Sequence, residues 1–214
     1  QIGAETADMT SAGLPMTFLM RRVLEEADDL EEAVRLIREA PRTVGVNYVV
    51  SDANAKRAVV IETTRSHVAV FEADDVTEHG VAYARPLTDA VFRADTAVDA
   101  AIRDRQLASG GNPRAPGLEP PTGSAYEVRY LGQSAGILAH YGRIDVETAK
   151  EIAKAVAPRS NVQSVIFAWP ELWVANAEGL TPAAHTTYHQ LDLPTLFDTI
   201  QNPKSKIQNS VTPQ

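Results

Sequence analysis

The 214-residue sequence predicts an α+β fold built from helix pairs and antiparallel strands, and three observations lead there. Two segments carry apolar residues at i, i+3, i+4 and i+7 with charges opposite them, the pattern of a helix that buries one face. Short runs rich in Val and Ile come in consecutive blocks instead of alternating singly with helices, which favours antiparallel meanders over parallel βαβ units. A stretch rich in Gly and Pro, residues 107–124, separates the first block of elements from the second.

The elements follow in order. Residues 14–27 predict a helix with Pro15 in its first turn, where a missing N–H costs nothing. Asp28 and Asp29 then offer an N-cap before the stripe Leu30, Ala33, Val34 and Ile37, and Pro41 closes this second helix. Residues 46–51, 58–63 and 67–72 read as three strands, with a turn at Asp52-Ala53-Asn54-Ala55. The stretch 107–124 has no hydrophobic periodicity and reads as a long surface loop or strap. Residues 125–141 and 145–157 read as a second helix pair, the latter capped by Asp145 with Val146, Ala149, Ile152, Ala153 and Val156 facing inward. Residues 161–168 and 171–177 form a hairpin turning at Trp169-Pro170, and 186–193 a last edge strand. The amide- and Pro-containing tail, 201–214, reads as disordered.

Composition narrows the function. With no cysteine, the chain itself holds neither a disulfide, a thiolate metal site nor a cysteine nucleophile. The formal charge of −8, most of it within residues 1–107, argues against nucleic acid as a partner. No apolar run is long enough to span a membrane, and the first 20 residues lack a signal-peptide pattern. Because the sequence opens on Gln1, it reads as the C-terminal portion of a longer chain, and its localisation is left unassigned. Phosphate-binding, dinucleotide-binding, zincin and G-x-S-x-G motifs do not occur, so no cofactor is expected. His185 and His189 fall at a loop–strand junction, where i, i+4 side chains lie on one face but about 13 Å apart by strand rise, which favours a partly exposed polar pair over a metal site.

Two polar positions carry alternatives. Ser160-Asn161, between a helix stop and a Val/Ile strand, reads either as a capping pair or as an amide aimed into a cleft to donate to a developing oxyanion. Arg129, just past the strap, is either a solvated helix arginine or a carboxylate grip.

Four strings in sequence order resemble one family: GLPMTFLMRRVLEEADDLEEAVRLIREAPRT (13–43), NYVVSDA (47–53), SAYEVRY (124–130) and YGRIDVETAKEIAKAVAPRSNVQSVIFAWPELWVANA (141–177). They are similar to the C-terminal portion of N-terminal-nucleophile hydrolases of the acyl-CoA:6-aminopenicillanic acid acyltransferase type, with choloylglycine hydrolases and penicillin V acylases as wider kin. The resemblance implies a four-layer αββα sandwich over residues 1–200 as a single domain. It also implies an autoprocessed enzyme that hydrolyses or transfers amide or acyl groups of small molecules. The nucleophilic cysteine would then lie upstream of Gln1, and the missing N-terminal portion would be this chain's partner; a homo-oligomer is left open. Thr10 or Ser11 is a weaker nucleophile candidate, because both precede a helix and not a buried strand.

Asn161 and Arg129 are the candidate catalytic residues, and Asn47, Asp95 and Ser160 the candidate substrate contacts. Arg129, Asn161, Asn47 and Asp95 are expected to share one cleft that receives a carboxylate- or amide-bearing molecule. In RADTAV (93–98), Asp95 stands where the family tends to show the Asn of Arg-Thr-Asn-His, and an ionised carboxylate cannot donate to an oxyanion. That departure supports the alternative: a catalytically inactive relative that binds a ligand or a protein partner.

Overall fold

A computed structural model describes residues 9–108 and 125–201; at 106–108, 125–128 and 199–201 the description covers the backbone alone. The chain divides into two compact units, Gln1–Ser134 and Ala135–Gln214. Each combines helices with one antiparallel three-stranded sheet.

The first unit opens with α1 (Met16–Glu26) and α2 (Leu30–Glu39). Pro15 is the residue just before α1, and Asp29 caps α2 by accepting from Glu32 N at 2.8 Å. Glu31 and Glu32 in the first turn of α2 and Arg38 in the last suit its dipole. The buried face of α2 comprises Leu30, Ala33, Leu36 and Ile37. Leu36 thus takes the fully buried place expected of Val34, which is only half-buried, because the packed face rotates toward Ala40. Beyond the helix, Leu14 bridges to Arg42, and the backbone approaches so closely that a Cβ on Gly13 would sit 2.5 Å from Pro41 O.

Strands β1 (Asn47–Asp52), β2 (Arg57–Thr63) and β3 (Val68–Phe71) form the sheet in the order β1-β2-β3. The register sets Val49 opposite Val60 and Ile61 opposite Val70. Asp52 Oδ1 accepts from Asn54 N and Ala55 N, closing the expected turn, and Lys56 completes it in the left-handed region at φ 52°. Tyr48, Val59 and Ile61 pack with Leu19, Leu30 and Ile37 of the helices as the main core. The central strand β2 is buried on both faces, with Val60 at 1% exposure and Glu62 at 0%. Arg42 ties the layers together. Its guanidinium donates to Ile37 O at 2.6 Å, at the end of α2, and to Thr64 O at 2.8 Å, just past β2.

Two helices absent from the sequence reading complete the list. Helix α3 (Ala100–Ala108) starts where Asp99 Oδ1 accepts from Ile102 N at 2.9 Å, and it covers the first two residues of the expected strap. Residues 109–124 of that strap lie outside the described residues, as does the expected tail from 202 onward. Helix α4 (Ala125–Ala139) enters the second unit, where Gly136 lets it approach Ile152 of α5 (Val146–Val156). Asp145 caps α5 by accepting from Thr148 N at 2.8 Å. Strands β4 (Gln163–Ala168), β5 (Glu171–Asn176) and β6 (His189–Asp192) form the second sheet in that order. The expected strand at 186–193 is therefore four residues long, because Asp192 Oδ1 accepts from Thr195 N and starts α6 (Leu193–Gln201). Lys150 lies 3.6 Å from the centre of the Trp173 ring, joining α5 to β5. No described helix is long and apolar enough to cross a membrane.

The core makes a direct expectation. Ile61→Ala should destabilise the protein by about 2–5 kcal/mol, the range for truncating a buried aliphatic side chain. Leu24→Ala, at a residue 84% exposed, should stay within about 0.5 kcal/mol. Urea unfolding of the two variants against wild type measures both.

Candidate functional site

The polar groups of the first unit converge on residues 93–99, a segment without regular secondary structure. Its first residue, Arg93, is 9% exposed and lies between two acids. Nη2 donates to Glu78 Oε1 at 2.6 Å, and Nε stands 2.8 Å from Glu62 Oε1. The second contact is an ion pair with poor hydrogen-bond direction, so among the described residues Nε and Nη1 have no hydrogen-bond partner. The guanidinium also stacks over Phe71 at 4.9 Å.

At the far end of the segment, Val98 N donates to both Glu62 oxygens at 2.8 and 3.0 Å, and Asp99 N donates to Oε2 at 2.9 Å. Burial pushes the Glu62 carboxyl up to about 7, against the pull of Arg93 and of these two backbone amides. Two further contacts hold the middle. Asn47, the first residue of β1, donates from Nδ2 to Ala94 O at 2.7 Å, and the Tyr83 hydroxyl donates to Ala97 O. Burial raises Tyr83 to about 12, so the phenol stays protonated and able to donate.

Asp95 pairs with Arg129, and the two side chains are 23% and 20% exposed. Burial draws the Arg129 pKa down from its ordinary value. Tyr130, fully buried beside it on α4, packs edge-on to Tyr83 at 5.8 Å and against Phe92 at 5.0 Å, while its hydroxyl accepts from Arg85 N at 3.0 Å. That anchoring fixes α4 at the position from which Arg129 reaches Asp95. Buried Asn47 Oδ1 and Thr96 Oγ1 have no hydrogen-bond partner among the described residues. Orphaned polar atoms inside a protein are few, and together with the partly exposed ion pair they mark this segment as a candidate binding surface.

The structure thus brings together three of the residues singled out from the sequence: Asn47, Asp95 and Arg129. Asn161 and Ser160 belong to the second unit. There Asn161 Oδ1 accepts from Ala184 N at 2.9 Å and Nδ2 donates to Gln163 O at 2.8 Å, fixing the 3-10 turn Ala183–His185 to the start of β4; Ser160 is exposed in the preceding turn. His185 ends that 3-10 turn and His189 begins β6, a loop–strand junction as expected. Thr10 Oγ1 accepts from Ala12 N, a local turn contact.

Sequence reasoning missed Glu62, Glu78, Arg93 and Tyr130. The clue to Glu62 was a lone acid in an otherwise apolar strand, AVVIET, where alternation puts it on the face shared with Val60. The others had no local signal, because their partners are 15 or more residues away in sequence.

Comparison with known families finds that residues 4–81 match the model of the acyl-coenzyme A:6-aminopenicillanic acid acyl-transferase family. Comparisons with curated proteins and with solved structures give no match. Asn47 and Glu62 lie inside the matched segment; Asp95, Arg129, Ser160 and Asn161 lie beyond it.

The raised Glu62 carboxyl carries a pH signature. Its native pKa lies above the ordinary carboxylate value, so its contribution to stability is fully present below the unfolded range and is lost as pH rises through about 7. Wild type should therefore gain stability relative to Glu62→Gln when the pH is lowered from 8 to 5. Urea midpoints of the two proteins at both pH values measure this, and a constant difference would refute it.

Proposed function

We propose, from the match of residues 4–81 to the acyl-coenzyme A:6-aminopenicillanic acid acyl-transferase family, that the chain is the C-terminal portion of an autoprocessed acyltransferase or amidohydrolase acting on amide or acyl bonds of small molecules. The observation that carries the reading to residues is the Asp95–Arg129 pair, partly exposed above a buried ionic network and next to Asn47. The reading brings with it the four-layer αββα sandwich as the fold of the complete enzyme, with residues 1–200 in one domain.

The 214 residues contain no cysteine, so the nucleophile of this reading is supplied by sequence upstream of Gln1. Arg129 grips a carboxylate or carbonyl group of the substrate through its N–H fork, exchanging part of its contact with Asp95 for the ligand. Asn47 and Asp95 contact the same molecule. The oxyanion donor of this reading is either the amide of Asn161, which has Ser160 beside it, or a backbone N–H. A pair already formed between Asp95 and Arg129 keeps the site close to neutral, which favours small substrates over highly charged ones.

A second reading has its own observation. Asp95 occupies the position of an amide in the family pattern and is already neutralised by Arg129, which suits a catalytically inactive relative that binds a ligand. The two readings diverge in one assay on the full-length protein with thioester and amide acyl substrates. The enzyme reading predicts turnover, and a loss of at least tenfold in kcat/KM for Arg129→Ala, about 1.4 kcal/mol. Ligand binding without turnover would establish the second reading in its place.

A further inference from the structure

We propose that Glu62 is the positioning residue of this site: one buried carboxylate clasps both ends of the segment 93–99 and thereby holds Asp95 against Arg129. The proposal rests on the functional reading above for what the pair is used for, and on geometry alone for the clasp.

A segment without helix or strand has no ladder to fix its backbone, so its shape is set by the few groups that grip it. Arg93 at the entering end lies 2.8 Å from Glu62 Oε1, and Val98 N and Asp99 N at the leaving end donate to the same carboxylate within 3.0 Å. Five residue steps could span roughly 17 Å when extended. With both ends drawn to one carboxylate, the residues between must bow outward, and Asp95 lies in that bow. Asn47 and Tyr83 each brace one carbonyl of the bow, but among these contacts only Glu62 engages both ends. Glu62 itself sits at 0% exposure on β2, the central strand of its sheet, so the bow is referenced to a buried strand paired on both sides. On the opposite side of the pair, Tyr130 fixes the helix that carries Arg129. Asp95 and Arg129 are thus held from two supports, of which Glu62 is the one that grips the segment carrying Asp95.

The test uses the full-length protein at pH 8, with side-chain NMR of the Arg129 guanidinium and amide hydrogen exchange. In Glu62→Gln, exchange at the Val98 and Asp99 amides should rise at least tenfold, and the Arg129 guanidinium protons should exchange as fast as they do in Asp95→Asn. The Val60 and Ile61 amides should remain protected. Glu62→Asp, which keeps the charge on a shorter arm, should recover part of the protection. Should Glu62→Gln fail to fold, Arg93→Lys loosens the entering end alone: the Arg129 signal should still weaken while Val98 and Asp99 stay protected. An Arg129 signal unchanged in the variant that folds overturns the proposal, as does an exchange increase spread equally over all three strands. Turnover is read separately. A wild-type protein that transfers no acyl group removes the functional reading, whereas the guanidinium and amide signals still decide the clasp.

Discussion

The arrangement of the first unit depends on a carboxylate taken out of water. Removing an ion such as that of Glu62 from solvent costs several kcal/mol, and the structure offsets this only through what surrounds it. Arg93 supplies an opposite charge, Val98 and Asp99 supply backbone donors, and Glu78 takes the other side of the same guanidinium. The compensating groups come from the two ends of the segment 93–99 and from the turn that carries Glu78. The requirement to satisfy one buried oxygen pair therefore organises β2, the 3-10 turn at Glu78–Gly80, the segment 93–99 and the start of α3 around a common point. Hydrophobic packing of α1 and α2 on the other face of the sheet holds β2 in place, and the ionic network converts that rigidity into a fixed position for Asp95.

The candidate site is built on this support and faces outward from it. Asp95 and Arg129 retain partial exposure while the residues holding them, Arg93, Glu62 and Tyr130, are buried. Such layering suits a site that must present a charged group without letting it wander. The family match covers the two strands that supply Asn47 and Glu62, so the matched segment and the candidate site share a structural base even though Asp95 and Arg129 lie outside the match. Asn161 stands differently, since its amide already fastens the 3-10 turn of the second unit to its sheet.

What the sequence made legible was what is encoded locally. Asp29 and Asp145 announced helix starts, Asp52 a turn, and the Val/Ile runs the strands, because each of these signals acts over four residues or fewer. Helix α3 escaped because its only described, fully buried side chain is Ile102, which leaves no stripe to detect; α6 escaped because Asp192 was read as strand rather than as a cap. The apolar stripe of α5 was correct in phase but is only half-buried. Arg129 was singled out by its place just past the strap and Asp95 through a resemblance, whereas the groups that hold them were invisible: a buried ion pair is defined by partners distant in sequence, and no spacing rule reveals it.

The account's central claim, acyl chemistry by a nucleophile outside these 214 residues, is tested most directly by intact-protein mass spectrometry. The full-length, processed protein would be mixed with an acyl thioester and its peptides mapped. The claim predicts a single acyl adduct on a cysteine in a peptide upstream of Gln1, formed more slowly when Arg129 is replaced by Ala. An adduct located within residues 1–214, or no adduct from a protein that still binds the thioester, would contradict it.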